Sequence, residues 1–234
     1  MCVISGGEGD TLRSALGQVP LFAGFSRNNL DALAAFVRSL RYPRGSIIFH
    51  RGDPGTSLYL IETGEVKLSI TEDGGKSVTL GLLGPGAFFG EISLLDGGPR
   101  SADATARVCC RLGILGRDQL LSFLAAHPPA TTSLLAILSR RLRRTTDQVH
   151  DAFFLNIPAR LAKVLLQFSE AQSQGPDGVL RVPKLTQEEL AEMVGGTRES
   201  VNKCLKEYAR QGIVCCHRGM VAVLKPGELE KHIF

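Results

Sequence analysis

A heptad pattern in the middle of the chain constrains the fold more than any other feature of the sequence. Shortly after Pro128-Pro129, a stripe of residues that is apolar except for one threonine recurs at intervals of three and four, at Leu135, Leu138, Leu142, Thr145, Val149 and Ala152. This spacing is the a/d repeat of a two-stranded coiled coil. It predicts a long helix that pairs two copies of the chain, or else a helix whose apolar stripe packs on its own domain.

Length and composition are those of a globular protein with more than one domain. The chain has 234 residues, which corresponds to about one and a half domains of ordinary size. Apolar residues make up 44% and charged residues 21%, a composition that excludes a disordered chain. No apolar run approaches the roughly 18 residues that a membrane span needs, and the N-terminus lacks the basic flank of a signal peptide. We therefore expect a cytoplasmic protein that does not contact membranes.

The residues before the heptad repeat are typical of an all-β domain. After a loose lead-in over residues 1–20, a helical pattern runs from Ser26 to Val37 and glycines at 74–75 indicate a hairpin turn. The short runs predicted as strands are Ile47–Phe49, Leu58–Ile61, Val66–Ile70, Val78–Leu80, Ala104–Val108 and Arg111–Leu115. Such strands predict a sandwich or small barrel of the jelly-roll type over residues 21–128, followed by the helix over 129–156 and a second domain over 157–234. The fold class is then α+β.

The second domain carries the pattern of a winged helix-turn-helix. Asn156 is predicted to cap a first helix from Pro158 to about Ala171, which a loop at 172–178 follows. Thr186 to Glu189 form a capping box, Gly195-Gly196 end a second, short helix, and Thr197 caps the next helix. This third helix has an apolar face and an outer face of Arg198, Glu199, Asn202 and Lys203. Arg and Glu are residues that read guanine and cytosine in the major groove. The alternative is a plain helical hairpin with a solvated face. Runs at 213–216 and 221–224 predict the wing.

Net charge does not decide between a helix-turn-helix that binds DNA and a plain helical hairpin. The chain carries a net charge of +4, with 11 Lys/Arg against 9 Asp/Glu from Pro158 onward and 16 against 14 before it. Both parts are therefore almost neutral, and a nucleic-acid partner has to be argued from the positions of individual residues. The arginines at 140, 141, 143 and 144 are interpreted as a solvated helix face, with DNA contact as the alternative.

A glycine-rich segment in the first domain is the candidate small-molecule site. Residues 84–91 do not form G-x-G-x-x-G, and we expect no strand-to-helix turn there, which excludes a dinucleotide site. Arg100 and Ser101 offer a guanidinium fork and a hydroxyl, both natural phosphate donors. Glu91 can accept a hydrogen bond from a sugar hydroxyl. These residues predict a phosphate-sugar site, or else ordinary turns beside a surface arginine.

Gly90-Glu91 followed by Arg100-Ser101, together with the long helix and the sequence Arg198–Val201, resembles the Crp/Fnr family of cyclic-AMP receptor proteins. The resemblance implies that Gly90, Arg100 and Ser101 bind the cyclic phosphate of cAMP and that Glu91 binds the ribose 2′-OH. It also implies that Thr145 and Thr146 meet the adenine, one from each subunit, although Thr145 could instead only set the register of the helix pair.

The implied protein is a homodimer that joins through the helix over 129–156, with RNA polymerase as a further partner. It binds double-stranded DNA at a two-fold symmetric site with TGTGA-like half-sites. The residues that contact the DNA are Thr197, Arg198, Glu199, Asn202 and Lys203.

Several departures from the family pattern leave other possibilities open. Asn156 replaces the usual hinge aspartate and Lys203 a second base-reading arginine, and only Cys2 lies where an iron–sulfur relative has a cysteine cluster. We expect no metal, no haem and no iron–sulfur cluster, six buried and reduced thiols, and no enzymatic activity. The alternatives are a family member with a different effector or none, and a cyclic-nucleotide-binding module that acts on a protein partner.

Overall fold

The computed structural model describes residues 16–17, 19, 22, 27–170, 180–181, 185–217 and 220–233. Most of the predicted lead-in, the loop at 172–178 and the tip of the wing therefore lie outside the described residues. The chain divides into two compact units. One consists of the residues up to 76 together with 80–142, and the other of residues 77–79 together with those from 143 onward.

Two antiparallel four-stranded sheets build the first unit within the described residues, with strand orders β1-β8-β3-β6 and β2-β7-β4-β5. The strands are β1 (Arg38–Tyr42), β2 (Ile47–Phe49), β3 (Ser57–Thr63), β4 (Val66–Thr71), β5 (Ser77–Leu83), β6 (Phe88–Phe89), β7 (Asp103–Ala106) and β8 (Cys110–Gly116). The predicted hairpin turn joins β4 to β5, where the Glu72 N–H donates to Lys76 O at 2.9 Å. The sandwich and the α+β class are confirmed, but β1 was not predicted.

The inner faces of the two sheets enclose one apolar core. Side chains such as Ile61, Phe89 and Leu112 from one sheet meet Val66 and Ala104 from the other, and all are buried. Alternation of inward and outward residues along each strand produces this arrangement. A buried ion pair joins the Arg111 Nε to Glu62 Oε2 at 3.2 Å. Such a pair is costly to break because it would leave one charge unpaired.

Helices cover the other face of the β3-β8 sheet. They are α1 (Arg27–Ala34), α2 (Glu91–Asp96), α3 (Arg117–Ala126) and α4 (Pro128–Phe154). Each of these helices supplies at least one buried residue to a second core cluster, for example Leu33, Leu94, Leu120 and Leu134. Neither α2 nor α3 was predicted. The helix α4 begins and ends within two residues of the predicted helix over 129–156.

The predicted heptad stripe on α4 is largely exposed in the single chain. Leu138 packs partly on the core of the first unit, which is the packing that the alternative interpretation required. Leu135, Leu142 and Val149 remain 60%, 69% and 52% exposed, respectively. An apolar stripe that is open to water over several helical turns is typical of interaction surfaces.

The second unit contains the predicted three-helix and hairpin arrangement. Its described elements beyond α4 are α5 (Ile157–Glu170), β9 (Leu180–Arg181), α6 (Gln187–Val194), α7 (Arg198–Arg210), β10 (Val214–His217), β11 (Met220–Val223) and α8 (Pro226–Glu230). Asn156 caps α5 as predicted, since its Oδ1 accepts from the Ala159 N–H at 3.0 Å. The strands form an antiparallel sheet of order β10-β11-β9, which is the predicted wing.

Two sequence expectations concern the chain as a whole. Within the described ranges no single helix has the length and hydropathy to span a membrane, and only α3 and α4, bent by 115° at their junction, pass that test as a pair. The expectation of reduced thiols is wrong for Cys109, which is disulfide-bonded. The thiols of Cys110, Cys204, Cys215 and Cys216 are free, as expected, but Cys215 and Cys216 are exposed, so the expectation that they are buried is wrong.

Candidate functional sites

Gly90 shapes the backbone of the glycine-rich segment. It lies between β6 and α2 with φ 81°, in the left-handed region. This placement corrects the expectation that no strand-to-helix turn occurs here. A Cβ at this position would lie 2.6 Å from Arg100 Nη1, so the close approach of the two residues requires glycine.

Arg100 is the centre of this site and is only 4% exposed. Its Nη1 donates to Gly90 O at 2.8 Å and to Ser93 Oγ at 3.0 Å, and its Nη2 donates to Ser57 O at 2.9 Å. The guanidinium also lies over the Phe49 ring, 4.3 Å from the centroid. These contacts rule out the surface arginine of the alternative interpretation, because neutral groups of the fold hold the side chain in place.

The charge of Arg100 has no counter-ion among the described residues, since no carboxylate lies within 4.0 Å of its nitrogens. Burial lowers the pKa of the guanidinium, and the neighbouring Tyr59 and Glu91 oppose that effect. The Nε atom is buried and has no hydrogen-bond partner in the described part of the chain. A buried cation with an unused donor is the chemistry that an anion such as a phosphate satisfies.

Glu91 is the carboxylate of the site, and it pairs with Arg141, which was not among the predicted site residues. The buried Glu91 Oε1 accepts from Arg141 Nη1 at 2.6 Å. The second terminal nitrogen of Arg141 donates to Phe88 O, and its guanidinium lies 4.6 Å from the centre of the Phe88 ring. Arg141 was interpreted as part of a solvated run, which is wrong for this one arginine. In the sequence, no signal distinguishes Arg141 from the other three arginines of the run.

These residues line a small cavity of about 50 Å³ in the first unit, formed by Gly90, Glu91, Ser93, Arg100, Ser101 and Arg141 among others. Ser101 is exposed at its rim. Pockets for small organic ligands typically measure about 300–1,000 Å³. The cavity is smaller than this range, and Arg141 of α4 is one of the residues that line it. The structure brings together Gly90, Glu91, Arg100 and Ser101.

Thr145 and Thr146 follow Arg141 on α4 and belong to the second compact unit. Both are exposed, Thr145 within the heptad stripe and Thr146 directly after it, between the exposed Leu142 and Val149.

The helix-turn-helix is built by local signals that the sequence predicted. Thr186 and Glu189 form a reciprocal capping box at the start of α6, and Gly195 ends that helix with φ 61°. Thr197 caps α7 by accepting from the Ser200 N–H at 3.1 Å. On the inner face of α7, Val201, Leu205 and Tyr208 are buried and Cys204 is half-buried. The hydroxyl of Tyr208 donates to Pro158 O at 2.9 Å, which ties α7 to α5.

The outer face of α7 is open and carries the predicted polar residues. Thr197, Arg198, Glu199 and Asn202 line an open concavity of about 540 Å³, and Lys203 is exposed beside them. Within the described residues, neither Arg198 nor Glu199 nor Lys203 takes part in an ion pair. Their donors and acceptors are therefore available to an external partner such as base edges.

Two family models match this chain. The family described as "Cyclic nucleotide-binding domain" matches residues 39–127, and the "Crp-like helix-turn-helix domain" matches residues 159–232.

Two relatives share more than a third of their residues with this chain. The "CRP-like cAMP-activated global transcriptional regulator" of Mycobacterium tuberculosis is 39% identical over 198 residues, covering 84% of this chain and 88% of the relative. The "Cyclic AMP receptor protein" of Thermus thermophilus is 37% identical over 215 residues, covering 92% and 97%.

Solved structures show the same architecture. The Thermus thermophilus catabolite activator protein superposes with a TM-score of 0.54 at 36% identity, covering 92% of this chain and 98% of that one. The c-di-GMP-responsive global regulator CLP of Xanthomonas campestris gives a TM-score of 0.73 at 26% identity, covering 85% and 99%.

Proposed function

The chain belongs to the Crp/Fnr family of DNA-binding transcription regulators, and from that premise we propose that cAMP is its effector and controls DNA binding by a homodimer. The protein is then a regulator without enzymatic activity that acts in the cytoplasm on promoter DNA. The single observation that carries the choice of a phosphate-containing effector is the buried, ion-pair-free guanidinium of Arg100.

A cyclic phosphate suits the environment of Arg100. A guanidinium in a low-dielectric site forms strong, charge-assisted hydrogen bonds with phosphate oxygens. Its Nε is buried and unused among the described residues, and Ser101 lies at the rim of the same cavity. Gly90 has no side chain and holds the backbone close to the guanidinium. In the proposal these three residues bind the cyclic phosphate.

The proposed partner of Glu91 is the ribose 2′-OH. In the structure this buried carboxylate pairs with Arg141. In the proposal a sugar hydroxyl replaces that contact, so binding of the nucleotide displaces Arg141 from the cavity. Because Arg141 belongs to α4, the displacement acts directly on the helix that carries the heptad stripe.

The proposed dimer forms through that stripe. Leu135, Leu142 and Val149 are exposed, and burying an apolar side chain of this size contributes about 1.5–3 kcal/mol. Thr145 lies within the same stripe and Thr146 directly after it, and they would contact the adenine, one from each subunit. The effector then stabilises one arrangement of the paired helices over another, and a change from 1:99 to 99:1 requires about 5.5 kcal/mol of differential binding.

The proposed DNA contacts are those of the exposed face of α7. Arg198, Glu199 and Lys203 would read base edges, and Thr197 and Asn202 would support them at the start of the helix. A two-fold dimer presents two such helices to half-sites one turn of DNA apart. RNA polymerase is the further partner in this proposal.

Calorimetric titration of the full chain with cAMP, cGMP and cyclic di-GMP tests the choice of effector. We expect saturable micromolar or tighter binding of cAMP, and weaker binding of the other two nucleotides. Tighter binding of cGMP or cyclic di-GMP, or absence of cAMP binding, would contradict the proposal. A gel shift with and without nucleotide separates DNA binding from action on a protein partner.

A further inference from the structure

Sulfur and imidazole side chains are concentrated at the wing of the second unit. The chain contains only 6 cysteines, 5 histidines and 3 methionines, yet four of these residues fall within positions 215–220. They are Cys215, Cys216, His217 and Met220, and all four are exposed. Cysteine is among the most frequently buried residue types, so two adjacent exposed free thiols need an explanation.

The register of the hairpin separates these residues into two faces. Val214 pairs with Val223 and Cys216 with Val221, whereas Cys215 pairs with Ala222 and His217 with Met220. Neighbouring residues on a strand point to opposite faces. The face that contains the buried Val214, Val221 and Val223 packs on the domain. Cys215, His217 and Met220 therefore share the face that points away from the domain, and Cys216 lies on the opposite face of the hairpin.

The three donors on this face are close enough to bind one ion. Side chains directly opposite each other on antiparallel strands have Cβ atoms about 4.5–5.5 Å apart, and diagonal neighbours about 7–8 Å. His217 and Met220 are an opposite pair, and Cys215 is the diagonal neighbour of Met220. Methionine is long and flexible, so its sulfur can cover the diagonal distance. In the strand order β10 is an edge strand, which leaves the face accessible to solutes.

The chemistry of the donors selects the kind of ion. Among the described residues no group of three or more His, Cys, Asp or Glu is placed to hold a metal, so a zinc-type set is absent there. Thiolate and thioether are soft ligands, and they favour Cu(I) over harder cations. We propose that Cys215, His217 and Met220 form a binding site for a soft monovalent cation of the Cu(I) type on the outer face of the wing. This site is independent of the effector cavity and of the DNA contacts proposed above.

The scarcity of methionine provides a direct test. Selective labelling of the methionine methyl groups gives three NMR signals from the full chain, because the sequence has three methionines. We expect anaerobic addition of one equivalent of Cu(I) to shift the signal assigned to Met220 by the Met220→Leu variant. A Cu(I) titration against the chromophoric chelator bicinchoninate then gives the affinity.

Matched variants separate the proposed face from its neighbour. Removing an outer-shell partner of a metal typically lowers affinity by about 10–100-fold, so Cys215→Ser and Met220→Leu should each cost at least this much. Cys216→Ser is the control at the adjacent residue, and Cys204→Ser the control at a half-buried thiol, and both should leave the affinity within about twofold. The proposal is overturned if the Met220 signal does not move, or if Cys216→Ser lowers the affinity as much as Cys215→Ser.

Discussion

Replacing Arg100 by leucine should abolish the response to cAMP while leaving the chain folded. In the structure this guanidinium donates three hydrogen bonds to Gly90, Ser93 and Ser57 and keeps its Nε free among the described residues. Leucine fills part of the same buried volume but offers no donor. Substitution leaves the three acceptors without this donor, which costs stability. It also removes a buried charge that has no counter-ion, which offsets part of that cost. The unliganded protein should therefore remain folded.

The effect on nucleotide binding follows from the number of phosphate contacts. A guanidinium makes two parallel hydrogen bonds to a phosphate, and each hydrogen bond to a charged group contributes about 1.5–3 kcal/mol. Their loss amounts to about 3–6 kcal/mol, or roughly two to four orders of magnitude in Kd. Arg100→Lys keeps the charge without the planar fork, so it should fall between the wild type and Arg100→Leu.

Ligand-induced thermal stabilisation measures this effect independently of the baseline stability. At a ligand concentration of 100 times the Kd, binding stabilises the folded state by about 2.7 kcal/mol. For a chain of this size each kcal/mol raises Tm by about 2–4 °C. We expect this shift in the wild type and in the control Arg107→Leu, which removes an arginine paired with Glu65 elsewhere in the first unit. A full shift in Arg100→Leu would refute the assignment of the site.

Four further substitutions test other parts of the account. Glu62→Ala removes the carboxylate of a buried ion pair and should destabilise the protein by about 3–5 kcal/mol in urea unfolding, whereas a cost below 1 kcal/mol would contradict its burial. Thr186→Ala removes the capping box and should cost about 1 kcal/mol in the same assay, and no change would mean that the cap is not formed in solution. Hydrogen bonding from Arg210 lowers the pKa of Glu207 from its usual 4.5 to about 2, so its contribution to stability is present above about pH 4.5 and is lost as the pH falls towards 2. The Glu207→Gln variant should therefore show a flatter fall in urea midpoint from pH 5 to pH 3, and an unchanged slope would exclude this pair. Arg198→Ala should cost about 1–3 kcal/mol in binding to a selected DNA site and relax the preference for one base pair, and a uniform loss across sequences would indicate a phosphate contact instead.

Local and periodic signals predicted most of the fold. The capping box of α6, the cap of α7 and most strands of the sandwich are determined by residues that are close in sequence. The sequence alone was therefore sufficient to locate them. Strand β1 was missed because its arginines at 38 and 41 interrupt the apolar pattern. It forms because it pairs along its whole length with β8, and that pairing partner is more than 60 residues away.

The residue types of the candidate effector site were predicted, but the contact of Arg141 with Glu91 was not. Gly90, Glu91, Arg100 and Ser101 were selected by chemistry, and the structure places them around one cavity. Arg141 was not selected because nothing in a run of four similar arginines distinguishes the one that faces a carboxylate. The contact depends on how α4 packs against β6 and α2, which is tertiary information.

The most direct test of the central claim is the affinity of the full chain for a two-fold symmetric DNA duplex, selected from a random pool, measured by fluorescence anisotropy with and without saturating cAMP. Coupling free energies between effector and ligand sites are typically 1–3 kcal/mol. The account predicts that cAMP tightens DNA binding by about 5–150-fold in the wild type. Equal affinity in the presence and absence of cAMP would contradict it.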